Sequence, residues 1–212
     1  MWRVTHDPSV PGAPPDSLVA RKQRRARQRI VEAADELFGE RGFENVSVTD
    51  IAAHAEVGRT TFFRYFGDKT EVVFAKERAM LDAVARARAD AGVAPATDLR
   101  DAVEQLAPIV LDLCERAAED VDAYERRAAL LERHVELRGR DALKGRQIAA
   151  SLGELLHDRG TPEPTAVLAG QVALACYETA RRRARTAAEL VRECRAAFTE
   201  VLELGERRVA GR

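Results

Sequence analysis

Aromatic side chains are scarce in this sequence, at 5% of 212 residues. A core of stacked rings is therefore excluded. The 46% hydrophobic fraction must pack mainly through Ala, Leu and Val. Ala and Leu are strong helix formers, and 33% charged residues supply the solvated faces of amphipathic helices. Cysteine is also rare. Cys114, Cys176 and Cys194 are odd in number and widely spaced, with no CxxC or zinc-ligand spacing. They read as small buried apolar residues in a reducing compartment. No apolar run approaches the ~20 residues needed to span a bilayer. The N-terminus lacks the apolar core of a signal peptide. The expectation is an all-α, cytoplasmic protein with no membrane partner.

An excess of one charge sign is missing too. The net charge of −1 excludes a chain that binds nucleic acid as a uniform polycation. Local charge says more, because Arg21, Lys22, Arg24, Arg25, Arg27 and Arg29 fall in one short stretch. Enzyme signatures are missing as well: there is no GxSxG, HExxH, P-loop or GxGxxG. Glu154 and His157 form one ExxH pair, whereas a di-iron helical bundle needs two such pairs and further glutamates. His134 with Glu136 is no stronger. No catalytic residue, metal site or cofactor is expected.

The chain punctuates itself clearly. Pro8, Pro11, Pro14 and Pro15, with Gly12, make residues 1–18 a flexible tail that carries Trp2. Ile30, Ala33, Ala34, Leu37 and Phe38 recur at helical spacing within a helix expected over 19–41. Gly42 follows where a left-handed C-cap belongs. Ser47 is a good N-cap, and Asp50 three residues on completes a capping box for a two-turn helix. Glu56-Val57-Gly58 is a tight connection, with glycine supplying the awkward backbone angle. A third helix, 59–66, buries Phe62 and Phe66 and ends at Gly67. Asp68 caps a fourth helix, with Glu71 closing its capping box; it runs over 69–91 and is broken by Gly92 and Pro95. Further helices are expected at 98–118, with Pro108 kinking or splitting it, and at 121–137, 140–158, 164–183 and 187–208. The domains are expected at 19–80 and 81–212.

Two short helices joined by a glycine-containing turn form a helix-turn-helix, whose second helix enters the major groove. Here that helix begins Arg59-Thr60-Thr61 and carries Arg64 one turn later. Arginine grips guanine O6 and N7 with two hydrogen bonds, and threonine can bond bases or phosphates. Ser47 and Thr49 stand at a helix start, where free N–H groups attract anions, and Lys69 stands at another. Tyr65 offers a hydroxyl. The basic run before the motif can reach the phosphate backbone or the minor groove.

Residues 28–74 resemble the DNA-binding domain of the TetR family. The matching pieces are Asp35-Glu36-Leu37-Phe38, Arg41-Gly42-Phe43, Ser47-Val48-Thr49-Asp50-Ile51-Ala52, Val57-Gly58, Thr61-Phe62-Phe63-Arg64-Tyr65-Phe66 and Asp68-Lys69. The resemblance implies that Thr61, Phe63, Tyr65 and Lys69 face the DNA backbone. It implies that Arg59, Thr60 and Arg64 face bases. Two positions depart from the family. Phe63 stands where tyrosine is usual, and Gly58 where serine or threonine is common.

The resemblance also implies a C-terminal helical domain for effector binding and dimerisation. The last two helices would form a four-helix interface across a two-fold axis. Val167, Leu168, Val172, Leu174 and Ala175 mark one stripe. Leu190, Val191, Cys194, Ala197, Phe198, Val201 and Leu202 mark the other. Burial inside one subunit explains the same stripes equally well. Candidate effector-pocket residues are Leu106, Ile109, Val110, Leu113, Leu130, Leu131, His134, Leu152, Cys176 and Tyr177, each of which also suits ordinary core. The stretch from Glu125 to Arg146 is similar to some family members that sense acyl-CoA or lipophilic ligands.

The partners expected are double-stranded operator DNA, a second copy of the chain, and an unidentified small-molecule effector that releases a repressor from its operator. The alternatives are a ligand-independent DNA-binding regulator or activator, and a helical ligand-binding module without operator recognition.

Overall fold

The computed structural model describes residues 18–75, 84 and 93–206. The expected tail with Trp2, the continuation of the fourth helix to Ala91, and the 80/81 domain boundary all lie outside the described residues. The chain parts into two compact units between Val72 and Val73. Among the described residues every regular element is helical, with no strand. None of these helices is long and apolar enough to cross a membrane.

The first unit is built on α1 (Leu18–Arg41), which begins one residue inside the expected tail. A short 3-10 turn (Phe43–Asn45) leads to α2 (Val48–His54), then α3 (Arg59–Tyr65) and α4 (Lys69–Val73). The apolar stripe of α1, Ile30 through Phe38, is buried against Phe43, Val46, Ile51, Ala52, Phe62 and Phe66. The Phe38 and Phe43 rings lie 5.0 Å apart, and those of Phe62 and Phe66 5.8 Å apart. With so few aromatics in the chain, four of the seven phenylalanines meet in this small core.

Two backbone expectations need correction. Gly42 does have positive φ (78°), but its ψ of 150° is extended, so it is not a left-handed cap. Asn45 instead covers the α1 end by donating from Nδ2 to the Arg41 carbonyl (2.9 Å). In the turn between α2 and α3, the left-handed residue is Glu56 (φ 54°), not Gly58. Val57 N–H donates to the Ala52 carbonyl and Glu56 N–H to that of Ala53, so the helix closes one step earlier than glycine placement suggested. Gly58 itself is extended, at φ −71° and ψ 151°.

The second unit holds α5 (Leu99–Ala118), α6 (Val121–Arg133), α7 (Val135–Asp158), α8 (Glu163–Arg183) and α9 (Ala187–Glu206). Helix α8 packs against α5, α7 and α9. Its inward face is Ala166, Ala169, Gly170, Ala173, Cys176 and Ala180. Small residues let three neighbours approach one helix closely. A Cβ at Gly170 would strike the Ala149 carbonyl oxygen of α7, and one at Gly153 would lie 3.1 Å from the Ala166 carbonyl oxygen. Asp98 and Asp120 cap α5 and α6 through their side chains. Pro108 is carried inside α5 without splitting it. The break expected at Gly139 falls instead at His134 (φ −117°, ψ 110°), and Gly139 lies within α7.

The stripes of the last two helices divide differently from a simple interface. Leu190, Cys194, Ala197 and Phe198 are buried within the unit, Val172, Leu174, Val191, Val201 and Leu202 are half-buried, and Val167, Leu168 and Ala175 are exposed. The three cysteines converge in this core and are free thiols. Burial pushes the Cys176 thiol up to about 11. A hydrogen bond with Cys194, added to burial, pushes Cys114 higher still. Cys114 and Cys176 are therefore poor nucleophiles at neutral pH.

Candidate nucleic-acid interface

Helix α3 is held by one face and free on the other. Phe62 is fully buried and Phe66 nearly so, which fixes the helix against α1 and α2. Arg59, Thr60, Phe63 and Arg64 are exposed, and Thr61 and Tyr65 are half-buried at the edge. The outward face therefore carries the two arginines and two of the hydroxyl-bearing or aromatic groups that the sequence singles out. The Arg59 guanidinium lies 6.0 Å from the Phe63 ring centre, and that of Arg64 5.1 Å from the Tyr65 ring centre. Arg64 Nη2 is also within 3.4 Å of the Tyr65 hydroxyl. These contacts are loose and exposed, so either arginine can leave them for a base or a phosphate at small cost.

Beside α3 runs an open groove shared with α1. Lys22, Arg25 and Arg29 line it from α1, and Thr61, Arg64 and Tyr65 from α3. Glu32 and Glu56 are the carboxylates on its wall. Arg29 lies 3.6 Å from Glu56, both well exposed. The basic stretch of the sequence thus stands next to the recognition face rather than on a remote helix surface. The α1 spacing of Lys22, Arg25 and Arg29 at i, i+3 and i+7 was the available signal for this alignment.

Ser47 and Thr49 are exposed at the start of α2. The Ser47 hydroxyl donates to Asp50 Oδ2 (2.5 Å) and accepts from the Asp50 N–H (3.2 Å), and the Ser47 N–H donates to the same carboxylate (2.9 Å). The capping box is complete, and it holds the Asp50 carboxyl below its ordinary 3.8. Lys69 is placed differently from expectation. Its ammonium donates to the carbonyls of Phe43 (2.7 Å) and Val46 (3.0 Å), with that of Glu44 at 3.5 Å, and it sits over the Phe43 ring. A cation at a helix N-terminus opposes the helix dipole, and turning toward carbonyls relieves that conflict. Here Lys69 ties α4 to the 3-10 turn.

In the second unit the proposed effector residues scatter. Val110, Leu113, Leu152 and Tyr177 line one apolar cavity of about 30 Å³ with Gly145, Ile148 and Leu174. That volume suits about one water molecule, far below the several hundred Å³ of a ligand pocket. Leu106 and Cys176 are buried core, Ile109 packs against that core, and Leu130 is half-buried on α6. His134 sits at the α6–α7 break. Leu131 lines a different and larger pocket of about 390 Å³ between α6, α7 and the end of α8. Its wall holds Arg127, Arg138, Arg181 and Arg182 facing Glu132, Asp141 and Glu178, with Tyr124. The stretch from Glu125 to Arg146 and Leu131 stood out in the sequence, but their convergence with Glu178, Arg181 and Arg182 did not, because no local spacing joins them.

Residues 30–75 match the family of bacterial regulatory proteins known as the TetR family. Over this N-terminal segment the chain is similar to TetR-family regulators. TcmR, an HTH-type transcriptional regulator of Streptomyces glaucescens, is 44% identical over 64 residues, 30% of this chain and 27% of TcmR. An HTH-type transcriptional regulator of Staphylococcus aureus is 46% identical over 48 residues, 23% of this chain and 26% of that protein. The chain matches only about a quarter of the length of these curated relatives. A structure of SmeT in complex with triclosan aligns at TM-score 0.56 and 18% identity, covering 84% of this chain and 90% of SmeT. SmeT is the repressor of the Stenotrophomonas maltophilia multidrug efflux pump SmeDEF. Among the described residues the fold is therefore all-α, with an N-terminal helix-turn-helix domain followed by a helical domain.

The segment matched to the TetR-family model runs from Ile30 in α1 through Ala75. It contains every residue of α3 and the Lys69 clamp, but not Lys22, Arg25 or Arg29. The basic side of the groove lies upstream of the matched segment.

Proposed function

We propose that this chain is a sequence-specific DNA-binding transcriptional regulator that acts as a homodimer. Helix α3 enters the major groove, and the α1 side of the adjoining groove contacts phosphates. The observation that carries this reading is the outward face of α3. Arg59, Thr60, Phe63 and Arg64 are exposed together on a helix fixed from behind by Phe62, inside the segment matched to the TetR family. Arg59 and Arg64 read bases, Thr61 and Tyr65 contact the backbone, and Ser47 and Thr49 add N-terminal contacts from α2. Lys69 positions α4 rather than touching phosphate.

A dimer supplies two recognition helices for half-sites one DNA turn apart. Exposed Val167, Leu168 and Leu204 on α8 and α9 offer apolar area for that pairing. The helical unit takes a small-molecule effector that releases the protein from its operator. The curated relatives are named transcriptional regulators, and SmeT of the same fold is a repressor seen with triclosan. A ligand achieves such release only by binding the two states with different affinity.

Fluorescence anisotropy tests the reading, using the chain's own upstream intergenic DNA against unrelated DNA at several salt concentrations. The expected result is a strong preference for the upstream DNA that Arg64→Ala reduces by roughly 1–3 kcal/mol. Equal, weak binding to both that vanishes with modest salt calls for selection from random DNA. Failure of that selection leaves a helical ligand-binding module.

A further inference from the structure

In the pocket between α6, α7 and α8, one carboxylate is held by two guanidiniums. Arg127 Nη2 donates to Asp141 Oδ1 (2.7 Å) and Arg181 Nη1 to Asp141 Oδ2 (2.8 Å). The side chains are 18%, 20% and 25% exposed for Arg127, Asp141 and Arg181, so most of this charge is withdrawn from water. Among the described lining residues, four guanidiniums face three carboxylates. A guanidinium offers five N–H donors, and the bond to Asp141 uses one of those on Arg181. The Arg181 guanidinium also lies 5.7 Å from the Tyr177 ring centre. Tyr177 in turn lines the small apolar cavity formed by α5, α7 and α8. Charge and apolar surface therefore meet across one aromatic ring.

We propose that this pocket binds an amphipathic monoanion, a carboxylate on an apolar body, with its head group on Arg181 and its apolar part against Tyr124, Ala128, Leu131 and Ala142. The pocket volume of about 390 Å³ falls within the ~300–1,000 Å³ usual for small-ligand sites. Against the described lining, a monoanion meets the positive excess, a neutral ligand gains nothing from it, and a cation is repelled. Charge-assisted hydrogen bonds from a partly desolvated arginine supply the discrimination. Because Asp141 lies on α7 and Arg181 on α8, a second anion on Arg181 competes with the link between these helices. The role of this ligand as an effector rests on the regulator reading above, but its binding does not.

Calorimetric titration of the full-length chain with decanoate, decanol and decyltrimethylammonium, each below its micelle concentration, tests the assignment. Decanoate is expected to bind at least roughly tenfold more tightly than decanol, and the cation not at all. Arg181→Gln should bring decanoate down to decanol, and Arg181→Lys should retain part of the difference. Equal affinity for decanoate and decanol, absence of decanoate binding, or a preference unchanged in Arg181→Gln overturns the proposal. The comparison of the three probes on wild-type protein stands even if Arg181→Gln fails to fold. DNA binding of the ligand-free protein is measured in parallel. Its absence counts against the regulator reading and leaves the pocket assignment standing.

Discussion

The ammonium of Lys69 lies 2.7 Å from the carbonyl oxygen of Phe43 and 4.4 Å from the centre of the same residue's ring. One cation thus satisfies the backbone of the turn that follows α1 and covers a ring that is only 4% exposed. With the Val46 carbonyl as a further acceptor, Lys69 fixes where α4 starts relative to the turn. Replacement by alanine leaves those carbonyls in a partly buried place without this donor. Lys69→Ala is expected to destabilise the first unit by roughly 1.5–3 kcal/mol, the scale of hydrogen bonds to charged groups. Lys69→Arg should recover little, because a planar guanidinium fork does not converge on these oxygens as an ammonium does. Urea unfolding followed by circular dichroism measures both. A Lys69→Ala protein with unchanged midpoint but weakened DNA binding would return this residue to phosphate contact.

The turn of the helix-turn-helix contains a mismatch between residue type and backbone. Glu56 occupies the left-handed region, where an L side chain is strained, while Gly58 two residues later is extended and has open space around its Cα. Glu56→Gly is expected to stabilise the first unit by roughly 1 kcal/mol, since the ion pair it removes is exposed and weak. Gly58→Ser supplies the side-chain N-cap that α3 lacks, for a gain of a few tenths of a kcal/mol. Both appear as higher urea midpoints at unchanged m-value. A loss of stability on Glu56→Gly would refute the assignment of strain to that residue.

These two positions mark where the sequence is readable. The helices of the first unit follow from local rules: Ile30 to Phe38 repeat at helical spacing, and Ser47 and Asp50 stand at capping-box distance. All of them act within one or two turns. Glu56 was hidden because positive φ is ordinarily assigned to glycine, and a glycine stood nearby. His134, in extended backbone at φ −117°, was hidden because Gly139 drew the helix break to itself. Lys69 meets Phe43 across 26 residues, and Asp141 meets Arg127 and Arg181 across 14 and 40. No spacing rule spans those distances, so the recognition helix was legible and the polar pocket was not.

Glycine substitutions in the second unit separate close helix contact from mere flexibility. A Cβ at Gly170 strikes the Ala149 carbonyl oxygen, which is backbone and cannot step aside. Gly170→Ala is therefore expected to destabilise by roughly 1–3 kcal/mol or more, by forcing α7 and α8 apart. At Gly139 in α7 nothing lies within 4 Å, so Gly139→Ala should stabilise by roughly 0.5–1 kcal/mol. Gly145→Ala meets only the flexible Leu174 Cδ1, at 3.2 Å, and should fall between the two. Thermal denaturation of the three variants in one buffer ranks them. The same sign for Gly170→Ala and Gly139→Ala would contradict the close α7–α8 approach.

Acid should loosen both units through identifiable carboxylates. The Asp50 carboxyl is held down by the Ser47 hydroxyl and N–H, and that of Asp101 by the N–H of Thr97 and the side chain of Gln105. Glu189 is held down by the Arg185 N–H, and Glu200 by the Arg183 guanidinium. Each group binds its proton less readily folded than unfolded. Its stabilising contribution is complete above the unfolded values, 3.8 for Asp and 4.5 for Glu, and is lost as pH falls through the lower folded values. Thermal midpoints should therefore be flat in these groups above about pH 5 and fall below it. Asp50→Asn keeps an acceptor facing Ser47 but does not titrate. It should make the acid loss of the first unit shallower while leaving that of the second unchanged. Salt should blunt the Arg183–Glu200 contribution more than the Asp50 one, because the former is an exposed ion pair and the latter a set of local hydrogen bonds. An acid slope identical in wild type and Asp50→Asn would show that the capping box does not couple to folding.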